Sequence, residues 1–313
     1  MHIKHLVISG GGPTMVQSLG SIQHLEKNNF IIRDEIESIY GTSAGAIVGI
    51  LICLKFDWET INDYIIKRPW QDVFSIKVQN IFESYATKGI FDAKTIEKCL
   101  KPLLSAKDIS LDVTLEEFYN YSKIELHFFT FEINEFKLED ISYLTHPSLS
   151  LLIAIQMTCG IPVLLTPICK DGKCYIDGGM VCNYPLKYCV ESGKNVEEIL
   201  GFKNQYNNSN KNCVDSSSNM LDFIMCILFN TIFSLKMNYV EPSIKYEVVC
   251  DTELMSFDML RTALSSMEVR VNLLNSGIES AKEFISKQND SKQNDSKQND
   301  SKEPYLKIDL ESP

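Results

Sequence analysis

Apolar and polar positions switch repeatedly between two periods along this chain. Residues 3–8 read as a buried strand, and residues 14–27 step as a helix does. Residues 36–40 predict a second strand, followed over 44–54 by a helix that is apolar on nearly every side. Further strands are predicted over 124–131, 163–168, 198–202 and 246–250. Within 168–175 the pattern is that of a hairpin turning at Asp171-Gly172, which sets Cys169 opposite Cys174 across the ladder. Interleaving of this kind predicts an α/β fold with a mostly parallel central sheet and helices on both faces.

Toward the C-terminus, Leu260, Leu264, Met267, Val271, Leu274, Ile278, Ala281 and Ile285 are spaced alternately by four and three. That spacing predicts a long helix or a helix pair laying one stripe on the domain's own sheet, since the flanking positions lack the charge pattern of a coiled-coil dimer. Residues 220–235 are nearly all apolar, with Asp222, Asn230 and Ser234 on one stripe, and predict a core helix. The run falls short of the ~20 apolar residues that a bilayer requires. Residues 203–219 hold ten Asn or Ser among 17 and predict a flexible polar loop. The segment Ser-Lys-Gln-Asn-Asp starts at Ser286, Ser291 and Ser296. Its period of five matches neither helix nor strand, so residues 286–304 are expected to be disordered, leaving 305–313 as a C-terminal tail.

Composition removes several functions. With 30 Lys and Arg against 41 Asp and Glu, the net charge is -11, the wrong sign for nucleic-acid binding. The apolar run before Ser9-Gly10 is only three residues long, too short for a signal peptide, so an intracellular protein is expected. The ten cysteines include no C-x-x-C pair, which indicates neither a zinc knuckle nor a disulfide framework. Cys169 and Cys174 are expected as two thiols that join only on oxidation.

The sharpest chemical signal is Gly41-Thr-Ser-Ala-Gly45, a G-x-S-x-G between a predicted strand and a predicted helix. The turn is tight enough to demand small residues at Gly41 and Gly45, and it exposes Ser43 at the positive end of the helix. A nucleophilic serine needs a base. No histidine lies beyond His146, so the order serine, acid, histidine is poorly served, and His127 and His146 read as hydrogen-bonded structural residues. Asp177, followed by Gly178 and Gly179 after a predicted strand, is the better candidate: a carboxylate beside a serine hydroxyl can take its proton directly. The third element is Gly10-Gly11-Gly12-Pro13, straight after the first strand. It matches neither G-x-G-x-x-G nor a P-loop, and its backbone N–H groups suit an oxyanion hole.

In this order, the three motifs resemble the patatin-like phospholipases. The similarity takes in the segment Gly160-Ile-Pro through Asn183-Tyr-Pro185 and, more weakly, Lys88-Gly-Ile-Phe-Asp92 and Thr145-His-Pro147. It implies a three-layer α/β acyl-hydrolase domain over 1–285, with its motifs within 3–200. Ser43 would be the nucleophile, Asp177 the base, and the backbone of Gly10, Gly11 and Gly12 the oxyanion hole. The chain departs from the family where a basic residue and a glycine usually follow the triple glycine: it has Pro13, Thr14 and Met15, and Met15 is expected to crowd the cleft or to tilt the helix dipole.

The resemblance implies a phospholipase A-like enzyme that cleaves fatty-acyl esters of glycerophospholipids through an acyl-enzyme, without metal or cofactor, in transient contact with a membrane surface. No basic cluster is present to dock it tightly on anionic lipid. On this reading residues 220–235 have two alternatives to a core helix, a membrane-facing flap or a wall of an acyl channel. The alternative for the whole chain is a lipid-binding or scaffolding protein with little turnover, which Met15 and the polar tail motivate.

Overall fold

The computed structural model describes residues 2–206, 214–236 and 241–300. Its strands are β1 (His5–Ile8), β2 (Ser38–Thr42), β3 (Gly89–Phe91), β4 (Glu125–Glu132), β5 (Lys137–Ile141), β6 (Val163–Leu165), β7 (Ile168–Lys170), β8 (Lys173–Asp177), β9 (Ile199–Tyr206) and β10 (Tyr246–Thr252). Its helices are α1 (Met15–Lys27), α2 (Ala44–Cys53), α3 (Trp58–Asn62), α4 (Trp70–Val73), α5 (Val78–Thr87) and α6 (Ala93–Ser105). They continue with α7 (Leu115–Ser122), α8 (Leu151–Thr158), α9 (Leu186–Glu191), α10 (Met220–Lys236), α11 (Phe257–Ser265) and α12 (Met267–Asp300).

The main sheet has the order β10-β9-β1-β2-β4-β8-β7, with β5 also on β4. From β10 to β4 the strands are parallel; β5, β8 and β7 pair antiparallel. This is the α/β fold that the periodicity predicts. The alternation of side chains sorts the core onto two faces. Leu6, Ile8, Ile39 and Phe128 meet the large cluster beneath α1, α2 and α8, whereas Val7, Tyr40 and Phe129 meet α9 on the other side.

One detail of this topology determines where chemistry can occur. β2 and β5 both pair with Phe128 and Phe129, and β5 and β8 both pair with Thr130 to Glu132. A strand has two edges, so β2 and β8 share the edge of β4 opposite β5. They meet end to end there: Thr42 pairs with Phe129, and Asp177 pairs with the next residue, Thr130.

Several elements differ from the sequence reading. The strand expected over 163–168 is two, because Pro167 has no N–H to continue a ladder. β6 joins β3 in a separate two-stranded sheet, while β7 forms the expected hairpin with β8. Cys169 faces Cys174 as predicted, with the two sulfurs paired, the bond expected on oxidation. β9 runs on to Tyr206, so residues 203–206 of the expected loop are strand, and 207–213 lie outside the described residues. α12 continues through the repeat to Asp300, where disorder is expected. The repeat contains neither Gly nor Pro, and its Lys and Gln are good helix formers, so a helix already nucleated can propagate through it. Residues 301–313 lie outside the described set.

The C-terminal stripe becomes a helix pair, α11 and α12. Leu274, Ala281 and Ile285 pack into the main core, but Met267 and Val271 stand exposed. The tightest part of the contact with α1 is made by glycine backbone. A Cβ on Gly277 would lie 1.9 Å from the Gln17 carbonyl oxygen, and one on Gly20 would lie 2.1 Å from that of Leu274. The buried Arg270 donates to backbone alone among the described residues, to the carbonyls of Ile66, Arg68, Ala263 and Leu264. Among the described residues, no helix is long and apolar enough to cross a membrane.

His127 has the structural role expected of it. Its ring stacks on Tyr40 at 4.1 Å, with Nδ1 2.8 Å from Asp140 and Nε2 2.8 Å from Glu125. Carboxylates only accept, so both ring nitrogens donate and the ring is an imidazolium. Burial alone would lower its pKa, but the hydrogen bonds to Asp140 and Glu125 outweigh it and raise the value. The same contact with His127 holds Glu125 below the usual carboxylate range. The His127 contribution to stability is therefore complete below its unfolded value of about 6.5, and is lost as pH rises through the higher native value. Glu125 contributes in the opposite sense, its part being lost as pH falls through its depressed value. A His127→Gln variant is expected to melt lower in mildly acidic buffer and to flatten the decline in melting temperature on the alkaline side. Parallel melting curves across pH for variant and wild type would contradict this. His146 sits in a turn with Nδ1 on the Thr145 hydroxyl.

Candidate active site

At the end of β2 the chain turns sharply into α2 with Ser43 at the corner. Ser43 has φ 53 and ψ -123, a conformation that a residue with a Cβ rarely adopts, and it occupies the N-cap position of α2. Gly45 is required by the approach of the next strand: a Cβ there would sit 2.3 Å from the Ile8 carbonyl oxygen. Gly41 likewise backs onto the Ala46 amide. The Ser43 N–H donates to Thr158 Oγ1 at 2.9 Å, and the Thr158 hydroxyl donates to the Phe129 carbonyl at 2.6 Å. The corner is thus tied to the end of α8 and to β4.

Asp177 closes β8, its carboxylate buried and its Oδ1 accepting from the Gly179 N–H at 2.6 Å. Gly178 packs directly on the Phe129 carbonyl, where a Cβ would lie at 2.3 Å. Ser43 and Asp177 line one pocket together with Gly11, Gly12, Gly179 and Asn183. Cys159, the residue at the C-terminal cap of α8, lies beside them. Burial, followed by the Asp177 carboxylate, holds its thiol well above the ordinary value, against the pull of a hydrogen bond with the Ser43 side chain.

The glycine loop is held from two sides. The Gly10 N–H donates to the Asn183 carbonyl at 2.9 Å. The Gly10 carbonyl in turn accepts from Asn183 Nδ2 at 3.0 Å and from Asn204 Nδ2 at 2.8 Å. Asn204 Nδ2 also donates to Thr14 Oγ1 at 2.8 Å, and the Thr14 hydroxyl donates to the Gly11 carbonyl at 3.3 Å. These bonds narrow the expectation of three oxyanion-hole amides to two, because the amide of Gly10 is already engaged. Gly11 and Gly12, at φ 147 and 57, both line the pocket. Met15, expected to crowd the cleft, packs into the main core instead. The sulfur over the loop belongs to Met255, 2.9 Å from where a Cβ on Gly12 would be.

Ile161, Phe229, Ile232 and Leu254 make the rest of the wall largely apolar. α10 buries Met225 and Phe229 in a small apolar cluster with Leu164 and Met255, as expected of a core helix, and through Phe229 and Ile232 it also forms part of the pocket wall. Its Met220, Phe223 and Ile227 are exposed. Sequence reasoning missed Thr158, Cys159, Asn204 and Tyr206. For the last two a signal existed: Phe202, Asn204 and Tyr206 continue the period of two set by β9, masked by the Asn-rich composition that follows. Tyr206 OH accepts from Asn183 Nδ2 at 3.1 Å. Among the described residues, no group of three or more His, Cys, Asp and Glu is placed to hold a metal ion. A buried hydroxyl, a carboxylate, two amides and an apolar wall suit acyl transfer.

A model of the patatin-like phospholipase family matches residues 6–190. A probable lipid hydrolase of Invertebrate iridescent virus 6 is 25% identical over 295 residues, covering 92% of this chain and 90% of that protein. An uncharacterized protein of Acanthamoeba polyphaga mimivirus is 21% identical over 296 residues, covering 91% and 94%. Among solved structures, VipD from Legionella pneumophila has a TM-score of 0.56 at 17% identity, over 92% of this chain and 67% of that one, a likeness of fold.

Proposed function

The chain belongs to the patatin-like phospholipase family and is a lipid hydrolase, and from that premise we propose that Ser43 and Asp177 form a two-residue catalytic unit for the fatty-acyl esters of glycerophospholipids. Ser43 Oγ attacks the acyl carbonyl while its proton passes to the Asp177 carboxylate. The N–H groups of Gly11 and Gly12 receive the negative charge of the tetrahedral intermediate. Collapse breaks the ester C–O bond, and the leaving alcohol takes the proton from Asp177. Water then attacks the acyl-enzyme, gives a proton to Asp177, and releases the fatty acid as the proton returns to Ser43.

The observation that carries this reading is the end-to-end meeting of β2 and β8 on one edge of β4, with both side chains lining a single pocket. The wall of Phe229, Ile232 and Leu254 suits an acyl chain, and such a substrate entails transient contact with a lipid surface. The test is fatty-acid release from mixed phospholipids, together with mapping of a fluorophosphonate label. The label is expected on Ser43, and labelling at another serine with Ser43 unmodified would overturn the proposal.

Asn204 is expected to act by positioning. An Asn204→Leu variant keeps the branching of the side chain but loses the donor group that braces Gly10 and Thr14. It is expected to lower kcat about tenfold or more while KM and melting temperature change little, because the amides shift relative to the developing charge. A variant with wild-type kcat would show that Asn183 alone suffices.

A further inference from the structure

α5 is turned inside out. Only Asn80 and Ser84 are half-buried against the domain, whereas Val78, Ile81, Phe82 and Tyr85, which form one stripe at helical spacing, are 66%, 55%, 78% and 96% exposed. A helix that turns its polar residues inward and its aromatic residues outward presents a surface for something apolar. From this we infer that α5 is the element by which the protein enters the interfacial region of a lipid bilayer. The inference rests on the proposed lipid substrate.

Three observations favour lipid as the occupant. First, α5 packs on β3, which pairs with β6, two residues beyond Ile161 of the pocket wall, so the stripe is joined to the site by a short ribbon. Second, the stripe lies between Lys77 and Lys88, and the one acid of the helix, Glu83, is on its far side, so phosphate headgroups meet local positive charge on an otherwise acidic chain. Third, a stable dimer needs roughly 20–30 residues on each side, more than a ten-residue helix presents.

The test uses the full chain carrying Ser43→Ala, so that binding is measured without hydrolysis. Flotation with phosphatidylcholine vesicles is expected to recover this protein. Adding Phe82→Ser and Tyr85→Ser is expected to lower partition by about tenfold or more. In the chain that retains Ser43, the same pair is expected to leave the melting temperature unchanged and the hydrolysis of a soluble butyrate ester within about twofold. A Phe82→Trp variant is expected to gain emission that is quenched by lipids brominated on their acyl chains. Equal partition with and without the pair would overturn the inference, as would a change of oligomeric mass with vesicle binding intact, which would make the stripe a protein interface. Loss of hydrolysis by a chain that still binds vesicles would count against the catalytic proposal alone.

Discussion

Replacing Ser43 by alanine is expected to lower fatty-acid release by about 10⁴-fold and to abolish fluorophosphonate labelling. Asp177→Asn keeps the shape of the side chain and its capping bond from Gly179, but provides no carboxylate to receive the serine proton. Its rate is expected to fall by about 10³- to 10⁴-fold, with labelling slowed in parallel. The two changes act on one proton transfer, so the double variant is expected to be no worse than the poorer single one. Residual activity in all three would come from the amides of Gly11 and Gly12 and from binding. Steady-state fatty-acid release with each variant checks the set, and a Ser43→Ala protein with near-wild-type turnover would exclude the mechanism.

The second large effect is on stability. Gly277→Ala is expected to lower the melting temperature by several degrees, corresponding to about 3 kcal/mol, because a methyl at 1.9 Å from a backbone carbonyl cannot be relieved by rotating a side chain. α12 must instead move off α1. Gly20→Ala meets the Leu274 carbonyl at 2.1 Å and forces the same separation, so the double variant is expected to lose less than the sum of the two. Thermal unfolding followed by circular dichroism measures both. A melting temperature unchanged in Gly277→Ala would mean that the contact is looser than its backbone geometry states.

Much of the site is legible because its residues carry local backbone demands. Ser43 needs a strained corner, and small neighbours betray it. The turn after Asp177 must pass close to Phe129, which calls for Gly178. The Gly10 loop is recognisable for the same reason, but which of its amides remains available is not, since Asn183 and Asn204 decide that from distant parts of the chain. The parallel sheet follows from apolar runs. The break at Pro167 is written in the sequence but outweighed by the apolar residues around it. The contact of α12 on α1 is hidden because its central residue, Gly277, contributes no hydrophobicity to a stripe. α5 is opaque for another reason: an amphipathic spacing says that a helix has two faces, and only the fold says which of them meets solvent.

The hairpin of β7 and β8 lies at one margin of the sheet, and only three register pairs, from Thr130 to Glu132, join β8 to β4. The proposed base is thus carried near one margin of the sheet, where bonds from the Thr130 hydroxyl to the Ile176 carbonyl and from the Cys174 N–H to Glu132 add to the ladder, while the serine sits further inside it. Fraying of that margin would silence the enzyme while nearly all of its secondary structure persisted. On the proposed mechanism, activity is therefore expected to be lost before most of the secondary structure when that margin opens.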